Sequence, residues 1–290
     1  MTRVQTLSGT LQTGDAPALA WRAWVPEAPR ASLLFVHGLA EHSGRYQRTA
    51  GHFAERGFAC YAFDLRGHGS SQGRRVHVQS FDDYLADLHA ALSLVRARHR
   101  TLPCFLVGHS MGGLITIRAV LAKPDEVAGA VVSSPLLAPH PSAAPSRATR
   151  MAAGLLSKIA PGLLIPSGLD TGALSHDKAV VDAYVADPLV SSKVSARWFT
   201  ATMGAAAEAR AQAPALRTPM LLMQSGADRL VDPEATRRWA VAAPPQHLQF
   251  VWWDGFYHEM FNEPERQRVF DRVEEWLAQH IQDGPRRHQA

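Results

Sequence analysis

Short apolar runs recur along this chain, and between them apolar residues are spaced three or four positions apart. The runs lie within predicted strands at residues 31–36, 58–64, 104–107, 127–132 and 219–224, and a last one is predicted at 247–253. Runs that are apolar almost throughout are typical of strands covered on both faces, whereas the wider spacing is typical of helices with one buried face. Strands that alternate with helices predict an α/β fold, with a mostly parallel twisted sheet flanked by helices.

The alternation of strands and helices stops shortly after the fourth run. Pro139, Pro141 and Pro145 interrupt the pattern, and the segment that follows shows only helical spacing. We therefore expect a helical cap that is inserted into the fold and contains no strand. The predicted core consists of residues 1–135 and 197–290, and the predicted cap is the segment 136–196.

The predicted cap carries more large apolar side chains than a small insertion needs for its own packing. They are Leu155, Leu156, Ile159, Leu163, Leu164, Ile165 and Leu169. A helix followed by a loop bounded by proline and glycine cannot turn every one of these inward. We therefore expect a partly exposed apolar rim that leads to the substrate pocket and permits transient contact with a membrane surface.

A sharp turn around Ser110 joins a predicted strand to a predicted helix. The strand ends at Val107, and the residues GHSMGG (108–113) come before the helix. A serine at the apex of such a turn has a strained backbone, and glycines on both sides let the strand and the helix approach closely. The serine hydroxyl then lies at the helix N-terminus, where free N–H groups favour a developing negative charge. This strand, turn and helix predict that Ser110 is a nucleophile.

A serine hydroxyl is a weak nucleophile unless a positioned base takes its proton. In this architecture the acid and then the histidine follow the serine along the chain. Asp228 directly follows a predicted strand, whereas Asp232 is explained as a helix cap and Asp254 lies too close to the histidine in sequence. Of the 14 histidines, His258 alone lies between the last predicted strand and the last predicted helix. We therefore predict Asp228 and His258 as the partners of Ser110.

The intermediate of acyl transfer carries an oxyanion that needs two preorganised N–H donors. One should be the backbone N–H of Met111, the residue after the nucleophile. The other should come from the loop after the strand at 31–36, from Leu39 or, as the second choice, from Ala40. Each donor is expected to matter by ~10²–10³ in rate.

Composition narrows the classes of function. The chain has 290 residues, a net charge of +4 and 46% apolar residues, as a globular protein does. Its arginines are scattered, so no nucleic-acid partner is expected. No histidine or cysteine cluster has metal-ligand spacing, so neither metal nor cofactor is predicted.

The cysteines and the N-terminus bear on the location of the protein. Cys60 and Cys104 lie in apolar runs and are expected to be free thiols. Without an apolar N-terminal stretch we expect a cytoplasmic location, peripheral to membranes at most, and a frayed tail from about Asp283.

Several motifs together resemble the monoacylglycerol lipase family. They are HGLAEHSGRY at 37–46, DLRGHGSS at 64–71, GHSMGG at 108–113, DPLV at 187–190 and GADR at 226–229. The resemblance implies an α/β-hydrolase fold with a lipophilic cap. It also implies a triad of Ser110, Asp228 and His258, an oxyanion hole of Leu39 and Met111, and a glycerol-binding end of the pocket shaped by Glu41 and Arg45.

The resemblance implies a serine hydrolase that cleaves medium- or long-chain monoacylglycerols to fatty acid and glycerol through an acyl-enzyme on Ser110. Broad carboxylesterase, thioesterase or lysophospholipase activity is an alternative with the same chemistry. A ligand-binding protein on a retained hydrolase fold is a third hypothesis, because fold does not imply function. A complete set of predicted catalytic groups argues against the third, since a binding protein has no chemical need for them. The expected partner is a small lipid ester, and the sequence indicates no oligomeric state.

Overall fold

The structure, a computed structural model, describes residues 3–12 and 14–282, and the predicted frayed tail lies outside them. The strands are β1 (Val4–Leu11), β2 (Leu19–Pro26), β3 (Ala31–Val36), β4 (Phe58–Phe63), β5 (Cys104–His109), β6 (Gly129–Ser133), β7 (Leu164–Pro166), β8 (Lys193–Ser195), β9 (Met220–Ser225) and β10 (Leu248–Trp253). The α-helices are α1 (Gln47–Glu55), α2 (Asp82–Arg98), α3 (Met111–Ala122), α4 (Arg147–Ile159), α5 (Lys178–Ala186), α6 (Ala196–Ala211), α7 (Pro233–Ala242) and α8 (Arg266–Gln282).

Eight of the strands in the described residues form one sheet, in the order β1-β2-β4-β3-β5-β6-β9-β10. β2 pairs antiparallel with β1 and β4, and the other neighbouring pairs in this sheet are parallel. The carboxyl ends of β3, β5, β6, β9 and β10 therefore meet at one edge of the sheet, where α/β proteins place their sites. The predicted mostly parallel sheet is confirmed.

The two faces of the sheet pack against different helices. On one face, Leu88 of α2, Ile117 of α3 and Trp239 of α7 belong to one apolar cluster. On the other face, Phe53 of α1 and Trp276 of α8 belong to a second cluster. Because both faces are covered, all residues of β3, β4, β5 and β9 are buried. This explains why these strands are apolar almost throughout rather than alternating.

The segment 136–196 contains the α-helices α4 and α5, as its helical spacing predicts, but the prediction that it holds no strand is wrong. β7 and β8 pair antiparallel, with Ile165 opposite Val194. Each strand has only three residues, too few for an alternating pattern to show in the sequence. Their pairing joins positions far apart along the chain, which no local pattern reveals. The boundaries of the cap stay a prediction.

One face of α4 is apolar and exposed. Met151, Leu155 and Ile159 lie one turn apart and are 77%, 60% and 69% exposed, and Leu163 and Leu164 beyond the helix are exposed as well. Leu155, Ile159, Leu163 and Leu164 of the predicted rim are therefore exposed, and that the rim leads to the substrate pocket and contacts a membrane stays a prediction. In the part of the chain that the structure describes, no helix combines the length and the apolar character that crossing a bilayer requires.

Candidate active site

Ser110 lies at the predicted turn between β5 and α3. Its backbone has φ 55° and ψ −117°, a left-handed conformation that a residue with a side chain rarely adopts. Its N–H donates to the carbonyl of Ser133 at 3.0 Å, and its own carbonyl accepts from Leu136 at 3.0 Å. A Cβ at Gly112 would collide with the carbonyl of Val36, so only glycine lets α3 approach the sheet here. The sheet and the next loop thus hold the strained serine in place.

Asp228 and His258 are paired in the structure. His258 Nδ1 lies 2.7 Å from Asp228 Oδ2, and the other carboxylate oxygen accepts from the N–H groups of Leu230 and Val231 at 2.8 and 3.0 Å. Burial raises the pKa of Asp228, but His258 and the backbone donors outweigh it and bring that pKa below its ordinary value. Burial lowers the pKa of His258, but Asp228 outweighs this and holds it above its ordinary value. The pair is therefore set to orient the ring and to stabilise an imidazolium.

The turn at Ser110 lies next to the loop that carries His258. The ring of His109, which precedes the serine, lies against the His258 ring, with centroids 4.7 Å apart. Among the hydrogen bonds of the described residues, none joins Ser110 Oγ to His258 Nε2. Such contacts are often long in a free enzyme and shorten when substrate binds. Ser110 is 8% exposed, so little of it is open to solvent.

The two predicted oxyanion donors flank the serine. Met111 is the first residue of α3, and Leu39 lies in the loop after β3. Residues 3–12 and 14–282 form many backbone hydrogen bonds in turns, loops and helix caps. The N–H groups of Leu39, Ala40 and Met111 are the donors in none of these. They are therefore available to an oxyanion, and the choice between Leu39 and Ala40 stays open. Ala40 has φ 64°, so the loop turns sharply beside the serine.

Glu41 and Arg45 form a buried ion network with a third residue that the sequence analysis missed, Glu259. Arg45 Nη1 donates to Glu41 Oε2 at 2.7 Å and to Glu259 Oε1 at 2.6 Å, and Nη2 donates to Glu259 Oε2 at 2.8 Å. Burial raises the pKa of Glu41, but the Arg45 charge outweighs it and holds that pKa well below its ordinary value. The sequence signal for Glu259 was its place next to His258. The contact of Glu41 and Arg45 with glycerol stays a prediction.

Other buried histidines near the site make structural hydrogen bonds. His37 Nε2 accepts from the N–H of Leu65 at 2.9 Å, and Nδ1 therefore donates to the carbonyl of Gly38 at 2.8 Å. His42 Nε2 lies 2.9 Å from Asp187 Oδ2, which ties the loop after β3 to the segment 136–196. Burial, reinforced by His258, lowers the pKa of His109 to about 4, so this ring is neutral at physiological pH.

No group of three or more His, Cys, Asp or Glu side chains within residues 3–12 and 14–282 is arranged to hold a metal ion. The chemistry of the site as described is that of a hydroxyl, an imidazole and backbone N–H groups. These are the groups that acyl transfer needs.

Comparisons with known proteins agree with this chemistry. The family described as Hydrolase_4, serine aminopeptidase S33, matches residues 27–265. A monoacylglycerol lipase of Mycolicibacterium smegmatis is 36% identical over 267 residues, which cover 91% of this chain and 94% of the relative. The Bacillus subtilis phospholipase YtpA is 34% identical over 260 residues, with 89% and 99% of the two chains covered. The crystal structure of Paleococcus ferrophilus monoacylglycerol lipase has a TM-score of 0.82 and 32% identity, covering 90% of this chain and 99% of that chain.

The fold and these matches define a serine ester hydrolase of the α/β-hydrolase class. The chain belongs to the Hydrolase_4 family, and its relatives of more than 30% identity identify it as a member of the monoacylglycerol lipase family. The resemblance seen in the sequence motifs is thereby confirmed.

Proposed function

We propose that this protein hydrolyses the ester bond of monoacylglycerols with medium or long acyl chains, with Ser110 as nucleophile and Asp228 and His258 as its partners. The buried 2.7 Å pair of Asp228 and His258 beside the strained serine turn carries the proposal. The names of the relatives from Mycolicibacterium smegmatis and Paleococcus ferrophilus support monoacylglycerol as the substrate.

In the acylation step, His258 Nε2 takes the proton of Ser110 Oγ as the oxygen attacks the ester carbonyl. Asp228 keeps the other ring proton on Nδ1, which fixes the tautomer and stabilises the imidazolium. The carbonyl oxygen becomes an oxyanion, and the N–H groups of Met111 and Leu39 receive it. His258 then protonates the glycerol oxygen, the ester bond breaks and glycerol leaves.

In the deacylation step, a water molecule takes the place of glycerol. His258 accepts a proton from the water as its oxygen attacks the acyl-enzyme carbonyl. The same two N–H groups receive the second oxyanion. The proton then passes to Ser110 Oγ, which regenerates the hydroxyl and releases the fatty acid.

The segment 136–196 would act as the cap that receives the acyl chain and contacts the lipid surface. Its exposed apolar face on α4 is flanked by Arg147, Arg150 and Lys158, all exposed, and no acidic residue occurs between positions 134 and 169. Apolar side chains beside cations suit the boundary between the head groups and acyl chains of an anionic membrane. The contact would be transient and would bring the enzyme to substrate dissolved in the bilayer.

A phospholipase or lysophospholipase is the second candidate, because a relative that covers nearly the same length carries that name. The two candidates differ only in the leaving group, glycerol or glycerophosphate ester. The test is kcat/KM for monolaurin, lauroyl lysophosphatidylcholine, lauroyl-CoA and a short nitrophenyl ester, each below its micellar concentration. The proposal expects monolaurin to be the best substrate. Monoacetin or a short nitrophenyl ester cleaved as well as monolaurin would replace it with a general esterase.

A further inference from the structure

Glu41 holds the loop that carries the proposed oxyanion donor Leu39. Its Oε1 accepts from the N–H of Gly38 at 2.6 Å and from the hydroxyl of Tyr46 at 3.0 Å. Gly38 lies between this carboxylate and the serine, since a Cβ there would be 3.0 Å from Glu41 Oε1 and 3.2 Å from Ser110 Cβ. The position of the Glu41 carboxylate therefore sets how the loop packs on Ser110.

The loop needs such an anchor because its backbone is strained. Ala40 has φ 64°, in the left-handed region that residues with a side chain adopt at a cost in free energy. A strained turn persists only where its surroundings hold it. The carboxylate of Glu41 holds Gly38, two residues before Ala40, by accepting from its N–H. The N–H of Ser191 holds Ala40 itself by donating to its carbonyl at 3.0 Å.

Glu259, at the other end of the network, holds the loop that carries His258. Glu259 directly follows His258, and both of its carboxylate oxygens accept from Arg45. Asn262 Nδ2 donates to Glu259 Oε2 at 2.8 Å, and the N–H of Glu259 donates to the carbonyl of Leu174 at 2.8 Å. With its side chain and backbone both fixed, Glu259 restricts the position of the ring next to it.

Both Nη atoms of Arg45 donate to groups within the protein. Nη1 and Nη2 contact the two carboxylates, and the guanidinium lies over the ring of Tyr184, 4.7 Å from its centroid. Glu41 and Glu259 are 3% and 4% exposed. In this network two carboxylates share one guanidinium and all three side chains are largely covered, an arrangement that fits the holding of protein groups.

We propose that Glu41, Arg45 and Glu259 are positioning residues. They fix the loop that carries Leu39 and the loop that carries His258 relative to each other and to Ser110. Arg45 and Glu259 are 214 positions apart in the chain, so the pair links two loops that the sheet alone places only approximately. The proposal rests on the proposed function, in which Leu39 receives the oxyanion and His258 moves the proton. Catalysis by such groups depends on sub-ångström placement.

The variant Glu259→Gln tests the network with little risk to folding. It keeps the size of the side chain and one acceptor oxygen, and Arg45 retains its pair with Glu41, so no buried charge is left alone. The matched control is Asp87→Asn. Asp87 accepts from Arg66 at 2.7 and 2.9 Å, and its side chain is 3% exposed, so it belongs to an equally buried pair outside the site.

The readouts are kcat and KM for two esters of one acyl chain, monobutyrin and methyl butyrate. Glu259→Gln should lower kcat ~10-fold to ~100-fold on both, because a misplacement of about 1 Å can cost ~10²-fold. KM should change by less than about threefold, since a positioning residue acts on the placement of the catalytic groups and not on substrate binding. Asp87→Asn should keep kcat within about twofold of wild type below its melting temperature. A kcat for Glu259→Gln equal to that of Asp87→Asn, or a loss confined to KM for monobutyrin, would overturn the proposal.

The labelling rate of Ser110 by a fluorophosphonate separates this proposal from the proposed function. If the wild type does not cleave monolaurin, the proposed function fails, but the probe still reports on the loops because it needs the same base and oxyanion donors. Labelling of Glu259→Gln ~10-fold slower than wild type supports the network. Equal rates overturn it.

Discussion

The centre of the sheet and the surface of α4 treat apolar side chains in opposite ways. In β3, β5 and β9 every residue is buried, and the loops that follow these strands carry the proposed oxyanion donors, nucleophile and acid. On α4 the apolar side chains of Met151, Leu155 and Ile159 face solvent. The first arrangement makes a rigid edge that can hold a strained turn. The second leaves apolar surface for something outside the chain, which the proposed function identifies as lipid.

Not all of the segment 136–196 faces solvent as the apolar face of α4 does, however. The N–H groups of His258 and Glu259 donate to the carbonyls of Ala173 and Leu174 at 3.3 and 2.8 Å. His176 stacks on Tyr257, with ring centroids 3.6 Å apart. The turn at residues 173–176 therefore belongs to the rigid part of the site, whereas α4 presents its apolar face to solvent. Substitutions at the rigid edge of the sheet should therefore affect catalysis, and substitutions at the exposed face of α4 should affect membrane binding.

The largest effect on activity is expected from a substitution of Ser110, in the turn between β5 and α3. Ser110→Ala should lower kcat by ~10⁶ on every ester, because the nucleophile is lost. The melting temperature should stay close to that of wild type, since the backbone strain is unchanged. Steady-state kinetics with active-site titration and a thermal melt provide the measurement, and a variant that keeps a tenth of the activity would refute the assignment.

The next effect is expected at the acid. Asp228→Asn should present the wrong tautomer of His258 and lower kcat by ~10⁴. The control is Asp232→Asn: Asp232 caps α7 by accepting from the N–H of Glu234 at 3.0 Å, and asparagine caps helices about as well. Reversed sizes of the two effects would show that Asp228 is not the acid.

The pH profile should show a smaller, graded effect. His258 must be neutral to act as a base, and Asp228 holds its pKa above the ordinary value. As pH falls through this raised pKa, kcat/KM should fall about tenfold per pH unit, beginning above the range of an ordinary histidine. The measurement is kcat/KM for a short soluble ester from mildly acidic to mildly alkaline pH. A flat profile would mean that another group is the base.

The smallest effect is expected at the exposed face. Leu155→Ser should weaken sedimentation with anionic vesicles about three- to tenfold, because burying a whole leucine is worth ~1.5–3 kcal/mol and a rim residue is buried only in part. Hydrolysis of a soluble short ester should not change. The control is Val241→Ser on α7, where Val241 is 83% exposed but lies outside this face. Equal vesicle binding by both variants would assign the contact elsewhere.

The strands β3, β4, β5, β6, β9 and β10 and the strand–turn–helix at Ser110 could be predicted because their signals are local. An apolar run or a glycine-flanked serine stands within a few positions of the sequence. The pairing of β7 with β8 and that of Arg45 with Glu259 could not, because each joins residues distant in the chain. Only the fold brings these partners together. The glycerol contact of Arg45 stays a prediction, and the structure adds the network that this side chain forms with Glu41 and Glu259.

The central claim is that the buried edge of the sheet makes Ser110 the nucleophile for monoacylglycerols. Its most direct test is labelling of the wild-type protein by a fluorophosphonate, with peptide mapping and with monolaurin hydrolysis followed in parallel. The account predicts one label per chain, on Ser110, and loss of monolaurin hydrolysis in proportion to labelling. Label on another residue, or monolaurin hydrolysis that survives complete labelling of Ser110, would contradict it.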